Sequence, residues 1–184
     1  YEDGRHPDSV VFHGEIEKDL ARRDFTVNAM AAAPLAGRFV DPFNGVEDIE
    51  ERQIRCVGLA RTRFAEDGLR PLRGIRFASV LGFRLEAETE EALGQELEVF
   101  AKVAWERKRD EVMRMLDEAA TLGGALESLN RSGLLQALAP ELSIEKCVAQ
   151  MDACGVGRGL ERLTIWLAAS GQNREQAQAL CERW

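Results

Sequence analysis

Residues 66–78 of the chain read EDGLRPLRGIRFA, and they mark the point where the sequence changes from a mixed pattern to a helical one. Leu69, Leu72 and Ile75 recur every three residues, which places them on one side of an α-helix because successive residues advance by about 100°. The pattern predicts a helix over residues 61–82 whose apolar side faces a core.

Helical periodicity also follows this stretch, with Gly and Pro residues near the ends of the segments. The predicted helices cover residues 88–100, 104–119, 122–131, 143–154, 158–170 and 173–183. No strand signal follows residue 58, so we expect the second part of the chain to be entirely helical.

The residues before position 58 carry shorter and more varied patterns. The predicted segments are strands at 10–12 and 38–41, helices at 15–23 and 46–53, a turn at 41–45 and an extended piece at 54–57, with 26–32 ambiguous between helix and strand. The fold class that follows is α+β and mostly helical, with a boundary near residue 58.

Composition narrows the function classes. The 184 residues are 45% hydrophobic and 30% charged, which is typical of a soluble protein with a buried core. No apolar stretch approaches the ~20 residues of a membrane span and no signal-peptide pattern opens the chain, so we expect a cytoplasmic protein that contacts no membrane. The four cysteines form no C-x-x-C pair, which argues against a zinc site.

Charge is unevenly distributed along the chain. The net charge is −8, yet residues 61–84 carry six Arg against Glu66 and Asp67. A local positive region inside an acidic protein suits a small anionic ligand better than a long nucleic-acid backbone. The competing interpretation is a solvated helix face.

The charged residues of the 66–78 stretch lie opposite its apolar side. Asp67, Arg70 and Arg73 follow at three-residue steps, and the planar fork of Arg matches a phosphate or the edge of a nucleobase. Arg76 falls at the border of the apolar side, where we expect partial burial and an anionic partner. The alternative is a set of intrahelical ion pairs, each worth roughly a few tenths of a kcal/mol.

Two further residues affect how a ligand would approach this helix. Viewed down the axis of the predicted helix, Gly74 lies at an angle between those of Asp67 and Arg70. We expect its missing side chain to let a flat ligand come close to the backbone. Pro71 fits the first turn if Asp67 caps the helix, and otherwise predicts a kink where the ligand would sit.

A second charged run lies upstream, where residues 19–31 read DLARRDFTVNAMA. Arg22, Arg23 and Asp24 are adjacent and cannot share one face of a regular element. We assign Arg23 to a phosphate and Arg22 or Asp24 to a ribose hydroxyl, with a helix cap at Asp24 as the structural alternative. Together the two runs predict a nucleotide pocket.

Three stretches of the chain resemble successive motifs of the class II tRNA nucleotidyltransferases (CCA-adding enzymes) and the related bacterial poly(A) polymerases. They read DLARRDFTVNAMA, DPFNGVEDIEERQIR and RFAEDGLRPLRGIRFASVLGF. Residues 104–116 resemble the neck-helix motif that follows in this family, and residues 134–142 resemble its GLL…PEL segment.

The resemblance implies a nucleotidyltransferase head with a β-sheet, followed by helical neck and body. Residues 1–57 would then be the second part of the head, residues 58–142 the neck that selects the nucleotide, and residues 143–184 the start of the body. A hinge region would lie at residues 41–48.

The resemblance also implies roles for individual residues. Arg23 would contact the nucleotide, Asp67 and Arg70 would read the base edge, and Arg73 and Arg76 would bind phosphate or nucleotide. The Gly-Gly loop and the Asp-x-Asp metal pair of the family lie upstream of the Arg-Arg-Asp run and are not found in this sequence. We therefore expect the Mg²⁺ ligands of the complete enzyme to lie outside this chain, which would be inactive by itself.

The function that the resemblance implies is addition of nucleotides from CTP and ATP to the 3′ end of tRNA, without a nucleic-acid template. A poly(A) polymerase, or a relative that adds only CC or only A, stays open within this class. A non-catalytic RNA-binding helical module is the alternative from another class. The simplest alternative is a helical domain whose arginines only pair with surface carboxylates.

Overall fold

A computed structural model describes residues 15–140, 142, 144 and 147–170 of the chain. The helices of these residues are α1 (Glu15–Ala21), α2 (Gly45–Glu50), α3 (Ala60–Glu66), α4 (Arg70–Leu81), α5 (Ala87–Ala92), α6 (Leu97–Ala101), α7 (Trp105–Glu118), α8 (Gly123–Arg131), α9 (Leu134–Leu138), α10 (Val148–Cys154) and α11 (Gly159–Ala169). The strands are β1 (Ala31–Ala33), β2 (Arg38–Val40), β3 (Gln53–Ile54) and β4 (Arg84–Leu85), and Thr26–Asn28 and Pro34–Ala36 form 3₁₀ turns. The α+β, mostly helical fold class is confirmed.

The described strands form two separate two-stranded sheets. β1 and β2 are antiparallel, with Ala31 opposite Val40, whereas β3 and β4 are parallel, with Gln53 opposite Arg84. β4 shows that the expectation of an entirely helical second part was wrong. β4 has only two residues, which is too short to show the alternation of side chains that identifies a strand in a sequence. Its pairing with β3 depends on backbone hydrogen bonds, which the sequence does not display.

The helix predicted over residues 61–82 is in fact two helices. α3 ends at Glu66 and α4 begins at Arg70, because Asp67 between them is extended, with φ −145° and ψ 107°. Pro71 therefore lies in the first turn of α4, where its missing N–H costs little. The break places Asp67 outside the helix that carries the arginines.

The other helix predictions of the second part are largely confirmed. α7, α8 and α11 match the predictions at 104–119, 122–131 and 158–170, and α10 matches the last part of the prediction at 143–154. The prediction at 88–100 was wrong in its middle, since residues 93–96 separate α5 from α6. The helix predicted at 173–183 lies outside the described residues.

In the first part, α1, α2 and β2 confirm the two helices and the strand predicted there. The ambiguous segment at 26–32 contains both a 3₁₀ turn and the start of β1. The strand predicted at 10–12 lies outside the described residues. The boundary near residue 58, and the three domains derived from it, stay predictions.

One buried apolar cluster runs through both parts of the chain. α7 packs against α4 and against α11, and Trp166 of α11 is fully buried in the cluster. Phe25 from the first part is also fully buried there. Because Phe25 directly follows Asp24, this packing fixes where the charged run at residues 19–31 meets α4. None of the described helices has both the length and the apolar composition needed to cross a lipid bilayer.

Candidate nucleotide-binding site

Four charged side chains of alternating sign connect α4 to the segment after α1 and to α7. Asp24 Oδ2 accepts hydrogen bonds from Arg73 Nε at 2.8 Å and lies 2.7 Å from Arg73 Nη2. Arg73 Nη1 donates to Glu111 Oε1 at 3.3 Å, and Arg76 Nε donates to Glu111 Oε2 at 2.6 Å. We call Asp24, Arg73, Glu111 and Arg76 the charge cluster.

An aromatic ring supports the two arginines of the charge cluster. The guanidinium carbon of Arg76 lies 4.1 Å from the centroid of the Phe77 ring, and that of Arg73 lies 5.3 Å from it. Phe77 in turn packs edge-on against Phe25, with 5.9 Å between ring centroids. Cation–π contacts of this kind favour a guanidinium that stays charged while partly removed from water.

Burial differs sharply between the two arginines. The Arg76 side chain is 7% exposed, as is that of Glu111, whereas the Arg73 side chain is 29% exposed. The expected burial of Arg76 and its anionic partner are therefore confirmed. Burial alone would lower the pKa of Arg73, but Asp24 and Glu111 outweigh it and the pKa is raised. Arg73 thus remains a cation that still reaches solvent.

Asp67 lies at the turn before α4, where both of its carboxylate oxygens accept hydrogen bonds. Oδ1 accepts from the Leu69 N–H at 3.0 Å, and Oδ2 accepts from Arg107 Nη2 on α7 at 2.9 Å. Burial pushes the pKa of Asp67 upward, but the Leu69 N–H and Arg107 outweigh it and leave the pKa below its ordinary value. Asp67 is therefore held as a carboxylate.

Arg70 is held by three acceptors in the chain. Nη1 donates to the Arg63 carbonyl oxygen at 3.0 Å and to Glu66 Oε2 at 2.7 Å, while Nη2 donates to the Arg22 carbonyl oxygen at 3.2 Å. The hydrogen bond from Arg70 lowers the pKa of Glu66. Through the hydrogen bond to the Arg22 carbonyl oxygen, the first turn of α4 contacts the charged run at residues 19–31.

The side chains of Arg22 and Arg23 bind Asp19 and do not join the charge cluster. Both side chains pair with Asp19, Arg22 through Nε at 2.8 Å and Arg23 through Nη2 at 2.9 Å, and both are more than half exposed. Their hydrogen bonds lower the pKa of the Asp19 carboxyl. Asp24 is the one member of this run whose side chain joins the charge cluster, so the structure brings together Asp24, Arg73 and Arg76 most closely.

Gly74 serves packing within the protein, and the expectation that it opens the backbone to a flat ligand was wrong. A Cβ atom added at Gly74 would lie 3.0 Å from Phe25 Cζ and 3.3 Å from Phe25 Cε1. The ring of Phe25 occupies the space that was assigned to a ligand. The proposed cap at Asp24 is also wrong, because the 3₁₀ turn that starts at Thr26 has no side-chain cap, and Asp24 Oδ1 accepts from the Phe25 N–H at 2.9 Å.

Sequence reasoning missed two residues of α7, Glu111 and Arg107, which contact the charged residues of the α3–α4 segment. They lie four residues apart and therefore on the same face of the helix. The one available signal was their place in the stretch that resembles the neck-helix motif. Their partners lie 35 to 40 residues earlier in the chain, a distance that helical periodicity does not bridge.

A second buried polar group lies in the region that the resemblance assigned to a hinge. Asp48 accepts hydrogen bonds from Thr26 Oγ1 at 2.5 Å, from Gln53 Nε2 at 2.6 Å and from Arg55 Nε at 3.1 Å. Asp41 accepts from the Gly45 N–H at 2.7 Å and so caps α2. These bonds fix the backbone next to Asp24.

In the described part of the chain, surface hollows of about 300, 410 and 510 Å³ are lined by residues other than the seven predicted ones, among them Arg55, Arg84 and Arg131. Within the described part of the chain, no three His, Cys, Asp or Glu side chains are grouped so that they could hold a metal ion.

Two family models match the chain. Residues 1–55 match the poly A polymerase head domain, and residues 82–145 match a probable RNA and SrmB-binding site of polymerase A. Together they account for more than half of the chain.

Several characterised proteins are similar to this chain. The CCA-adding enzyme of Latilactobacillus sakei subsp. sakei is 34% identical over 188 aligned residues, which is 100% of this chain and 47% of that protein. The crystal structure of the Bacillus stearothermophilus CCA-adding enzyme in complex with CTP is 41% identical, with a TM-score of 0.64, over 75% of this chain and 34% of that one. A tRNA nucleotidyltransferase complexed with a primer tRNA and an incoming ATP analog has a TM-score of 0.73 at 26% identity, over 95% of this chain and 55% of that one.

The similarity includes both the charged runs and the helices that bring them together. The chain spans between 28% and 47% of the length of the curated relatives. Sequence, family models and structural neighbours agree, and the chain belongs to the family of the class II CCA-adding enzymes and bacterial poly(A) polymerases.

Proposed function

We propose that this chain is the nucleotide-selecting part of a cytoplasmic tRNA nucleotidyltransferase, which adds nucleotides from CTP and ATP to the 3′ end of tRNA. The observation that carries the proposal is the meeting of α4, α7 and the segment after α1 at the charge cluster. This arrangement presents guanidinium groups and an ionised carboxylate around the start of α4, in a chain that belongs to this family.

Each predicted residue has a role in the proposal. Asp67 and Arg70 pair with the edge of the incoming base and so replace a nucleic-acid template. Arg23, Arg73 and Arg76 orient the triphosphate, and Arg22 or Asp24 contacts the ribose. Attack of the tRNA 3′-hydroxyl on the α-phosphate forms the new phosphodiester bond and releases pyrophosphate, and these residues accelerate it by positioning and charge stabilisation.

The partners that these residues have in the described structure are compatible with this role. Glu66, the carboxylate partner of Arg70, is 45% exposed on its side chain, and Arg107, the partner of Asp67, is 52% exposed. Exposed ion pairs contribute only about 0–1 kcal/mol. Because Glu66 and Arg107 can turn to solvent, a nucleotide that offers hydrogen-bonding groups at the same place can replace them as partners of Asp67 and of Arg70, whose side chain is 15% exposed.

Mg²⁺ belongs to the proposal for the complete enzyme only. The metal would supply charge stabilisation at the reacting phosphate, and the Asp-x-Asp pair that would hold it is not found in this sequence. The chain by itself is accordingly proposed to bind nucleotide without turning it over.

A second candidate function is RNA binding without catalysis. The match of residues 82–145 to a probable RNA-binding site favours it. The acidic composition of residues 85–184 speaks against it, because a polyanion binds best to a basic surface. This candidate predicts RNA affinity that does not depend on nucleotide and falls steeply with salt.

The test uses the complete gene product, a tRNA lacking its CCA end, and either CTP or ATP. Incorporation of CTP supports the proposal and excludes a poly(A) polymerase, while incorporation of ATP alone supports a poly(A) polymerase or an A-adding relative. Replacing Arg70 with Ala should lower kcat/KM for CTP about 10- to 100-fold, since a hydrogen bond to a charged group contributes roughly 1.5–3 kcal/mol.

Arg61→Ala is the matched control, because Arg61 is an exposed arginine on α3 that pairs with Glu96 at 2.9 Å. It should leave kcat/KM for CTP unchanged. Equal activity of the Arg70 and Arg61 variants would contradict the assigned role of Arg70, and RNA binding without any incorporation would favour the second candidate.

A further inference from the structure

The two arginines of the charge cluster are not equivalent, which bears on how a triphosphate is held. Arg76 is almost fully buried, its Nε is bound to Glu111, and its guanidinium lies over the Phe77 ring at 4.1 Å. Arg73 is four times as exposed and lies between two carboxylates. A phosphate arriving from solvent can meet Arg73, whereas Arg76 lies behind Glu111.

We propose that Arg73 is the one arginine of the charge cluster that contacts the triphosphate, and that Glu111 and Arg76 are positioning residues that fix the Arg73 guanidinium. This inference rests on the proposed function and changes the role assigned to Arg76. It also gives a role to Glu111, which the sequence had not singled out.

The hydrogen-bond inventory of Arg73 supports this division. A guanidinium has five N–H donors in a rigid plane. Asp24 accepts the one at Nε and lies 2.7 Å from Nη2, and Glu111 accepts one at Nη1. The other N–H groups on Nη1 and Nη2 are left as donors for a phosphate oxygen.

The charge balance supports it as well. The cluster contains two carboxylates and two guanidiniums and is formally neutral, so it attracts a distant anion only weakly. Its contribution to binding must come from the fixed orientation of the Arg73 fork. That orientation depends on Glu111, whose second oxygen is fixed by Arg76.

Kinetics of the complete gene product with CTP and a tRNA lacking its CCA end can separate positioning from direct contact. Glu111→Gln should raise the KM for CTP on the order of 10- to 100-fold, the effect expected when a binding group is misplaced by about 1 Å. The same substitution in an Arg73→Met background should raise the KM no further, because the group that Glu111 positions is gone. Multiplying effects in the double variant would overturn the proposal.

Arg76 is tested in the Glu111→Gln background. If Arg76 acts only through Glu111, then Arg76→Met added to Glu111→Gln leaves the KM where Glu111→Gln put it. A further rise in KM means that Arg76 contacts the triphosphate itself. A return of the KM to the wild-type value means that Glu111 serves only to neutralise Arg76, and either result overturns the proposal.

Folding is controlled within the same set of variants. Glu111→Gln leaves Arg76 without its carboxylate, but the double variant with Arg76→Met is neutral there and supplies the measurement if the single variant does not fold. Asp110→Asn is the matched control, since Asp110 lies next to Glu111 on α7 and pairs with the exposed Arg109 at 3.0 Å. A wild-type enzyme that incorporates no CTP refutes the proposed function, whereas an active enzyme with an unchanged KM in the Glu111 variants refutes this inference alone.

Discussion

Arg107 Nη2 lies 2.9 Å from Asp67 Oδ2, and this contact ties α7 to the turn that precedes α4. Four residues further along α7, Glu111 contacts Arg73 and Arg76. One face of α7 therefore contacts Asp67, which is assigned to base reading, and the two guanidinium groups of the charge cluster. Movement of α7 relative to α4 would change both at once.

Replacing Arg107 with Met should raise the pKa of the Asp67 carboxyl toward its ordinary value. Burial already acts in that direction, and Arg107 is one of the groups that outweigh it. Because the folded-state pKa of Asp67 is lowered, its contribution to stability is present above the pKa of the unfolded chain and disappears as the pH falls through the folded-state pKa. The Arg107 variant should therefore lose less stability on acidification than the wild type.

A ¹³C-carboxyl NMR titration of the chain measures the Asp67 pKa directly, and urea unfolding across the same pH range measures the stability. Arg109→Met is the control, because Arg109 pairs with Asp110 and not with Asp67. An identical Asp67 titration in the Arg107 variant and the wild type would show that this ion pair has no electrostatic effect.

Gly74→Ala should destabilise the protein even though Ala favours helix. The new Cβ would lie 3.0 Å from Phe25 Cζ, closer than an ordinary carbon–carbon contact, so the fully buried Phe25 ring would have to shift within the core. Overpacking of this kind costs about 1–3 kcal/mol, which exceeds the ~1 kcal/mol gained from helix propensity. Chemical unfolding of the two proteins measures the difference.

Gly124→Ala is the contrasting substitution, since Gly124 lies in α8 and an added Cβ there meets nothing within 4 Å. It should stabilise the protein by up to about 1 kcal/mol. Opposite signs for the two glycines are expected, and stabilisation by Gly74→Ala would mean that Phe25 does not fill the space beside α4.

The sequence predicted the features that depend on residues close together in the chain and missed those that depend on contacts between distant segments. α7 was predicted because its apolar residues recur within one helix, and the burial of Arg76 followed from its angle on α4. Asp67 was predicted on the same side as Arg70 and Arg73 because the helix was assumed to run unbroken over residues 61–82. The extended backbone of Asp67 ends α3 and places this residue outside the helix that carries the arginines.

Contacts between distant segments could not be obtained from local pattern. The pairing of Arg73 with Glu111 spans 38 residues, and that of Arg73 with Asp24 spans 49. Periodicity determines which side of a helix a residue occupies, but not which other helix lies opposite. The filled space beside Gly74 was missed for the same reason, because Phe25 reaches it from another part of the chain.

Arg162→Met should destabilise the protein strongly, and Arg162→Lys should not restore it. Arg162 is fully buried and donates to the carbonyl oxygens of Met151, Leu116 and Ala119, the last two at the end of α7. Removing it leaves carbonyl oxygens without donors, at about 1–3 kcal/mol for each buried group. A lysine ammonium lacks the planar fork that reaches acceptors on two helices at once.

Thermal unfolding followed by circular dichroism tests this prediction. Arg158 supplies the control, because it belongs to the same segment but forms an exposed ion pair with Glu161 at 2.8 Å. Arg158→Met should change stability by less than about 1 kcal/mol. If Arg162→Lys were as stable as the wild type, a point charge would suffice and the bonds from the separate guanidinium nitrogens would be unnecessary.

Asp48→Ala should cost far more stability than Asp48→Asn. Asp48 is 1% exposed, and three donors from Thr26, Gln53 and Arg55 converge on it. Ala removes the main acceptor of the buried Thr26 and Gln53 side chains, at about 1–3 kcal/mol for each buried group that loses its partner, whereas the half-exposed Arg55 can turn to water. Asn retains one oxygen for Gln53 and Arg55, while its NH₂ group can donate to Thr26 Oγ1, whose own hydrogen then turns toward the Arg55 carbonyl oxygen 3.4 Å away.

The expected loss for Asp48→Asn is accordingly about 1 kcal/mol, the difference between a charge-assisted and a neutral hydrogen bond. Urea unfolding of both variants measures the order of their stabilities. Glu47→Gln, at an exposed position on the same helix, is the control. Because Thr26 is two residues from Asp24, the Ala variant should also weaken the hold of Asp24 on Arg73. Equal stability of the Ala and Asn variants would show that Thr26, Gln53 and Arg55 find other acceptors when the carboxylate is gone.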